Sequence, residues 1–163
     1  MEGIGLATAR VFAGLGASVL CVARRQEELQ SAVRELDPTR VRTVAADVST
    51  PEGRARILDR VRDDWGALDV LVNNVGTNIR KPSTDYAGSE VRSIVDTNMM
   101  SALEVCRGAY PLLCAGGEAA IVNVSSVAST MYLASGVVYA MTKAAIDQMT
   151  RYLAVEWAPR AAA

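Results

Sequence analysis

Short runs of apolar and β-branched residues alternate along this chain with longer segments in which apolar residues recur every three or four positions. The short runs predict β-strands over residues 18–23, 41–46, 69–72 and 119–124. The longer segments predict helices over residues 26–36, 52–65, 88–114 and 136–157, after a first helix that starts near the N-terminus and is closed by Gly14 and Gly16. Strands and helices are therefore expected in regular alternation.

The strand runs lack polar alternation, which indicates burial on both faces and hence a parallel sheet with helices on both sides. The turn signals Asp37-Pro38, Thr50-Pro51 and Gly116-Gly117 all fall between the predicted elements. We expect residues 1–163 to form a single Rossmann-type domain, an α/β fold with a doubly wound parallel sheet.

Charge and hydropathy exclude several classes of partner. Seventeen Lys and Arg residues against eighteen Asp and Glu give a net charge of -1, without the basic cluster that nucleic-acid binding needs. No apolar run approaches the roughly 18 to 20 residues that span a bilayer, and no export signal is evident. Cys21, Cys106 and Cys114 lie in apolar runs without metal-type spacing, which predicts buried reduced thiols and a cytoplasmic location.

The chain contains no histidine. This excludes Ser-His-Asp triads, Cys-His dyads and histidine-containing zinc sites, and we predict no metal site. Carboxylate, Tyr, Lys and Ser side chains remain for proton transfer.

Two features in the first third of the chain are compatible with a dinucleotide. Gly3-Ile4-Gly5 opens a helix, as a phosphate-binding turn does, although such a pair is often an ordinary turn. Arg24 and Arg25 follow the strand 18–23, where an arginine pairs with the 2'-phosphate of NADP and an acid would favour NAD. The alternative is that both arginines simply begin a solvated helix.

Two further positions follow predicted strands. Asp47 is either a helix cap or a contact for the adenine. The turn Asn73-Asn74-Val75-Gly76 suits a cofactor crevice at a switch point, but the same residues are also typical of a plain tight turn.

The most specific feature is the set Ser126, Tyr139 and Lys143. Tyr139 and Lys143 are four residues apart in the last helix and so share a face, while Ser126 follows a strand, thirteen residues before Tyr139. A phenol ionises near about pH 10, so basic chemistry near neutrality needs about 4 kcal/mol of stabilisation of the phenolate. A lysine ammonium about 4 Å away supplies about that much at an effective dielectric near 20.

On these residues the chain resembles the short-chain dehydrogenase/reductase family. Gly3-Ile4-Gly5 matches the end of its glycine-rich turn, and Asn73 to Gly76 matches its NNAG motif, with Val75 in place of alanine. Ser126, Tyr139 and Lys143 match its catalytic residues, and Asn98 matches the asparagine that completes the tetrad. The segments VARRQEELQ and IVNVSSVAS resemble the tropinone reductase-like members, which are NADPH-dependent carbonyl reductases.

The resemblance implies hydride transfer between NADP(H) and a small ketone or alcohol. Tyr139 exchanges a proton with the substrate oxygen, Ser126 hydrogen-bonds that oxygen, and Lys143 stabilises the phenolate and holds the nicotinamide ribose. Asn98 fixes a water in a proton relay. The implied cofactor contacts are Gly3, Ile4, Gly5, Arg24, Asp47, Val48, Asn74, Gly76, Tyr139 and Lys143.

The chain departs from the family pattern at both ends, since it lacks the first strand with the start of its turn and the strands after the tyrosine helix. We expect a truncated form of an active reductase, whose full-length parent is a homodimer or homotetramer. One alternative is a non-catalytic fragment or pseudoenzyme, acting as an interaction or dimerisation module through the helices 88–114 and 136–157. Another is that the fragment itself binds NADP(H) and turns over. Glu2 would repel cofactor phosphates. Residues that border the substrate are predicted to be Tyr86, Met99, Thr130, Met131 and Tyr132.

Overall fold

The structure is a computed structural model that describes residues 3–134 and 136–158. The chain divides into two compact units, Met1–Asp64 and Trp65–Ala163, and each is described separately.

The first unit contains two parallel strands and the helices that connect them. Its elements are, in chain order, α1 (Gly3–Gly14), β1 (Val19–Ala23), α2 (Gln26–Val33), β2 (Val41–Ala45) and α3 (Pro51–Trp65), the last of which runs up to the boundary between the units. β1 and β2 pair in parallel, with Val19 opposite Val41 and Ala23 opposite Ala45. A parallel pair needs a crossover connection, and α2 provides it.

The core of the first unit lies where the helices cover this strand pair. One cluster of buried residues consists of Ala9, Cys21, Leu29 and Val41. A second consists of Val44, Ala46 and Ile57. The strand residues supply β-branched or small side chains and the helices supply Ala9, Leu29 and Ile57, as expected for a parallel pair packed against helices.

The second unit repeats this plan with longer helices. It contains β3 (Val70–Asn73), α4 (Gly88–Val95), a π-helical turn (Asp96–Met100), α5 (Ser101–Gly116), β4 (Ala120–Asn123) and α6 (Val137–Trp157), with short 3₁₀ turns at Ser83–Asp85 and Val127–Ser129. β3 and β4 pair in parallel, with Asn73 opposite Asn123. Parallel strands with helical crossovers in both units confirm the predicted α/β class.

The boundaries of the predicted elements agree with the structure to within about three residues, with one difference of substance. The segment 88–114 is helical throughout, but it is not one α-helix, because the π-helical turn Asp96–Met100 separates α4 from α5. Such turns occur often at functional sites.

Two burial predictions were wrong. Val122 on β4 is 47% exposed, although its strand was predicted to be buried on both faces. Cys114 is exposed, unlike Cys21 and Cys106. The buried stripe of α5 runs through Val105, Ala109 and Leu113, and Cys114 follows Leu113 directly, so the helical turn carries it off this stripe.

No helix within residues 3–134 and 136–158 combines the length and the apolar character needed to cross a membrane.

Candidate active site

Asn98 lies at the centre of the second unit and is fully buried, at 0% exposure. Its Oδ1 accepts a hydrogen bond from the backbone N–H of Thr77 at 2.7 Å, and its Nδ2 donates to the carbonyl of Thr77 at 2.9 Å. Nδ2 also donates to Oγ1 of Thr142 at 3.2 Å. The π-helical turn thus places the Asn98 amide where it bonds both Thr77, in the loop after β3, and Thr142 on α6.

Thr142 connects Asn98 to the helix that carries the tyrosine. Its Oγ1 donates to the carbonyl of Tyr139 at 2.8 Å while it accepts from Asn98, and Thr142 is 2% exposed. This hydrogen bond gives the Thr142 hydroxyl an acceptor within its own helix. Asn98 is thereby tied to the first turns of α6.

Lys143 is 4% exposed. Its Nζ donates to the carbonyl of Val124, just after β4, at 2.7 Å. Burial lowers the pKa of the Lys143 ammonium from its ordinary value, and the carboxylate of Asp147 partly opposes this shift. A hydrogen-bonded ammonium in a dry site has a stronger field than one in water.

Gly76 lies against the same groups. A Cβ at this position would lie 3.6 Å from Nζ of Lys143 and 3.7 Å from Oδ1 of Asn98. Any side chain here would therefore cover the ammonium and the amide. Asn74 and Gly76 follow β3, at the carboxyl end of the strand, as the sequence predicts.

Tyr139 is half-buried in the first turn of α6, one turn before Lys143. Nζ of Lys143 is 5.8 Å from the centroid of the Tyr139 ring. The structure therefore brings together the predicted residues Asn98, Tyr139 and Lys143.

Ser126 lies in the segment between β4 and α6. It has an extended backbone and begins the 3₁₀ turn Val127–Ser129, where its Oγ accepts a hydrogen bond from the N–H of Ala128 at 3.2 Å. Because this contact uses the oxygen as an acceptor, the hydroxyl proton remains available to a substrate oxygen.

Several groups that support the site were not predicted from the sequence. Partial desolvation raises the pKa of the Asp147 carboxyl, but hydrogen bonds from Ser125 and Ser129, together with the charges of Arg151 and Lys143, hold this pKa below its ordinary value. A Ser-x-x-x-Ser spacing around Ser126 is the only trace of this arrangement in the sequence. The Thr77 backbone and the Val124 carbonyl leave no trace, since backbone groups do not depend on residue type.

A polar chain also runs beneath the site. Nδ2 of Asn73 donates to Oδ1 of Asn123 at 2.8 Å and contacts Sγ of Cys106 at 3.2 Å. Nδ2 of Asn123 donates to Oγ1 of Thr150 at 2.9 Å. These bonds join β3, β4, α5 and α6, so the first asparagine of Asn73-Asn74 has a structural role.

The remaining predicted cofactor residues lie in the first unit. Gly3 has a φ of +63°, which favours glycine, and a Cβ there would meet no atom within 4 Å. Ile4 is 62% exposed, and Gly5 continues α1. Glu2 lies outside the described residues.

Arg24 and Arg25 differ in their surroundings. Arg25 forms an ion pair with Glu28 at 2.6 Å. Arg24 is exposed and takes part in none of the ion pairs found among the described residues, although it lies close enough to Asp47 to lower the pKa of that carboxyl. Arg24 is therefore the arginine that is available to an anion.

Asp47 and Val48 lie in the turn between β2 and α3. Oδ1 of Asp47 accepts from the N–H and the hydroxyl of Ser49, at 2.9 and 2.6 Å, and these bonds are the main cause of the lowered pKa of Asp47. Nη1 of Arg54 donates to the carbonyl of Val48 at 2.9 Å. The turn is thus held by the hydrogen bonds between Asp47 and Ser49, as in a helix cap, and by the hydrogen bond from Arg54 on α3.

The residues predicted to border the substrate fall into two groups. Thr130, Met131 and Tyr132 are exposed in the segment between β4 and α6, with Tyr132 at 93%. Met99 and Tyr86 are half-buried, and the hydroxyl of Tyr86 donates to the carbonyl of Ile79 at 2.5 Å.

A family model described as short chain dehydrogenase matches residues 1–162. The chain belongs to the short chain dehydrogenase family. It has the Rossmann-type fold of this family, and the resemblance noted in the sequence is confirmed.

Known short chain dehydrogenases and their relatives match at moderate identity. A tropinone reductase homolog of Arabidopsis thaliana is 40% identical over 160 residues, which make up 96% of this chain and 61% of the relative. L-Sorbose reductase from Gluconobacter frateurii, solved in complex with NADPH and L-sorbose, has a TM-score of 0.93 and 35% identity, and the match covers 98% of this chain and 62% of that one. A metagenomic short-chain oxidoreductase in complex with NADP has a TM-score of 0.92 and 28% identity, with coverages of 98% and 73%. The chain thus spans about three fifths of the length of the plant relative.

Proposed function

We propose that the protein is an NADPH-dependent carbonyl reductase or alcohol dehydrogenase, similar to the tropinone reductases, that acts on a small ketone or alcohol. The observation that carries this proposal is the connected set Asn98, Thr142, Tyr139 and Lys143 in one unit, with Ser126 between β4 and α6 of the same unit. It joins a phenol, a buried ammonium and the hydrogen-bonding side chains of Asn98, Thr142 and Ser126, and contains no histidine.

The residues of the first unit are chemically suited to the phosphates of NADP(H). Gly3 has the open, positive-φ backbone that close approach of a phosphate needs, and it opens the N-terminus of α1. Arg24 offers an exposed guanidinium, which suits the 2'-phosphate because charge-assisted pairing of arginine with phosphate is strong and often bidentate. When bound, the cofactor supplies or accepts the hydride at nicotinamide C4.

The side chains of the second unit can handle the proton that accompanies the hydride. The phenol of Tyr139 donates it to the forming alkoxide in reduction and accepts it in oxidation. The hydroxyl of Ser126 donates a hydrogen bond to the same substrate oxygen. Lys143, held by the Val124 carbonyl, presents its remaining N–H groups and its charge on the side of Tyr139 and Gly76.

A second candidate is a non-catalytic module that associates through its helices. Tyr152 and Val155 on α6 are 66% and 78% exposed, which favours a contact with another copy of the chain. We propose this helix as part of a homodimer or homotetramer surface, whether or not the chain is active.

The test combines binding and turnover. NADPH binding is followed by the fluorescence of NADPH, and turnover is measured as NADPH oxidation with a panel of small ketones. Both are measured for the unmutated chain, here called the parent chain, and for Tyr139→Phe. Tyr152→Phe, which also removes a hydroxyl from α6, is the matched control. We expect Tyr139→Phe to keep measurable NADPH binding, because the other proposed cofactor contacts remain, and to lose about 100-fold or more in kcat, the contribution typical of a positioned acid or base. Equal turnover by Tyr139→Phe and the parent, or no NADPH binding by the parent, would contradict the proposed function.

A further inference from the structure

The loop between β3 and α4 is tied at both of its ends. At its start, Thr77 is held by the two hydrogen bonds from Asn98. At its end, Nζ of Lys81 bonds both carboxylate oxygens of Glu90, at 2.8 and 2.7 Å, and Glu90 also accepts from the N–H of Ala87. The loop is thereby fixed to the π-helical turn on one side and to the first turn of α4 on the other.

Tyr86 fills the interior of this loop. Its hydroxyl donates to the carbonyl of Ile79 at 2.5 Å, and its ring lies 5.7 Å from Nζ of Lys81. The side chain is thus contacted at its ring by a cation and at its hydroxyl by a backbone acceptor.

Gly136, which precedes α6, lies directly against Tyr86. Its φ is +93°, and a Cβ built on it falls closer to the Tyr86 hydroxyl oxygen than real Cβ atoms come to any neighbour. The same Cβ would lie 3.1 Å from the carbonyl oxygen of Ile79. The Tyr86 hydroxyl therefore occupies the space that a side chain at position 136 would need.

This contact lies at the start of the helix that carries the tyrosine. The carbonyl of Gly136 accepts from the N–H of Ala140 at 3.2 Å, and this hydrogen bond closes the turn that contains Tyr139. A displacement of Gly136 would therefore change the position of this turn and of the phenol within it.

We propose that Tyr86 and Gly136 form a lock that holds the first turn of α6, and with it Tyr139, against the loop between β3 and α4. Tyr86 is then a positioning residue, since its hydroxyl is bonded to Ile79 and it acts on Tyr139 through Gly136. Its catalytic consequence rests on the proposed function, whereas the lock itself can be measured without turnover.

A purely conformational role of Gly136 makes a different prediction. If only the positive φ required glycine, Gly136→Ala would have the same effect with or without the Tyr86 hydroxyl. If the hydroxyl occupies the space, Tyr86→Phe relieves part of the damage caused by Gly136→Ala, because the φ strain is common to both backgrounds and cancels in the comparison.

The first experiment measures amide hydrogen exchange of Ala140 by NMR in the parent chain, Tyr86→Phe and Tyr152→Phe. We expect Tyr86→Phe to lower the protection of Ala140 about fivefold, the factor typical of one lost hydrogen bond, and Tyr152→Phe to leave it unchanged. Equal protection of Ala140 in Tyr86→Phe and in the parent would overturn the lock.

The second experiment is a double-mutant cycle of Gly136→Ala and Tyr86→Phe, read by the unfolding equilibrium. We expect the double variant to be at least about tenfold more stable than the sum of the single effects predicts. Additive effects would overturn the lock, and this result is available even if neither variant binds NADPH.

Turnover then tests the consequence for Tyr139. Where the unmutated chain oxidises NADPH, Tyr86→Phe is expected to lower kcat about fivefold with a smaller change in KM for NADPH, because the helix start carries Tyr139 whereas the proposed phosphate contacts Gly3 and Arg24 are untouched. An unchanged kcat would overturn the positioning role. Absence of turnover in the parent chain would instead contradict the proposed function. The lock would then be tested by the hydrogen exchange of Ala140 and by the double-mutant cycle.

Discussion

Replacement of Asn98 by alanine is expected to destabilise the second unit by about 3 kcal/mol. The change removes three hydrogen bonds, two to the backbone of Thr77 and one to Thr142. Thr142 keeps the carbonyl of Tyr139 as a partner, so the cost falls on the two Thr77 groups. These groups are half-buried, and about 1 kcal/mol each is the low end for polar groups that lose their partner. The space left by a fully buried side chain adds about 1 kcal/mol.

Urea unfolding followed by tryptophan fluorescence measures this loss, because Trp157 lies on α6 of the second unit and Trp65 at the boundary between the units. With a denaturant slope of roughly 2 kcal/mol per molar, the midpoint should fall by about 1.5 M. Asn74→Ala, which removes the same side chain from a half-buried position after β3, is the matched control and should change stability by less than about 1 kcal/mol. A loss of under about 1 kcal/mol for Asn98→Ala would refute the view that Asn98 ties the loop to the helices.

Three further outcomes are expected. In a fluorescence titration, Arg24→Ala should weaken NADPH binding about tenfold or more and leave NADH binding unchanged. Arg25→Ala should leave the binding of both cofactors unchanged, because Arg25 pairs with Glu28. Gly53→Ala should lower the unfolding free energy by about 1 to 3 kcal/mol, because a Cβ there would clash with the backbone, whereas Gly14→Ala, with no atom within 4 Å, should be neutral or slightly stabilising. Asp147 has a lowered pKa, so its carboxylate contributes stability above about pH 4 that is lost as the pH falls through the pKa of the folded state. Asp147→Asn should therefore reduce the loss of stability at acid pH, as measured by urea unfolding at several pH values.

The course of the elements along the chain could be predicted because residue type favours strands over short stretches. The run DVLV at residues 69–72 and the run AAIVNV at 119–124 mark β3 and β4, since β-branched and apolar runs favour strands even where, as at Val122, a side chain is exposed. The π-helical turn Asp96–Met100 left no such pattern. Its residue Asn98 bonds the backbone of Thr77, some twenty residues earlier in the chain, whereas periodicity reports only which face is buried.

The candidate site could be predicted as a set of side chains but not as a network. The spacing of Tyr139 and Lys143 within one helix places them together. The partner that holds Lys143 is the carbonyl of Val124, which any residue type could provide, so the sequence carries no sign of it. Likewise, the contact between Tyr86 and Gly136 depends on how a loop folds back on a helix start, and no local pattern encodes it.

The family resemblance already names Asn74 and not Asn73, and Arg24 and not Arg25, as cofactor contacts, although residue type alone does not distinguish the members of either pair. The structure adds a physical reason for each choice. Asn73 joins β3 to β4 through Asn123. Arg25 forms an ion pair with Glu28. Both contacts are properties of the folded chain.

The most direct test of the central claim, that Tyr139, Lys143, Asn98 and Ser126 support hydride transfer, uses NADPH that carries deuterium at both hydrogen positions of nicotinamide C4. A ketone that the parent chain reduces is recovered as the alcohol and analysed by mass spectrometry and NMR. The account predicts that the parent places deuterium on the carbinol carbon and that Tyr139→Phe, with NADPH binding retained, forms almost no labelled alcohol. Alcohol formed without deuterium at that carbon, or equal labelling by Tyr139→Phe, would contradict it.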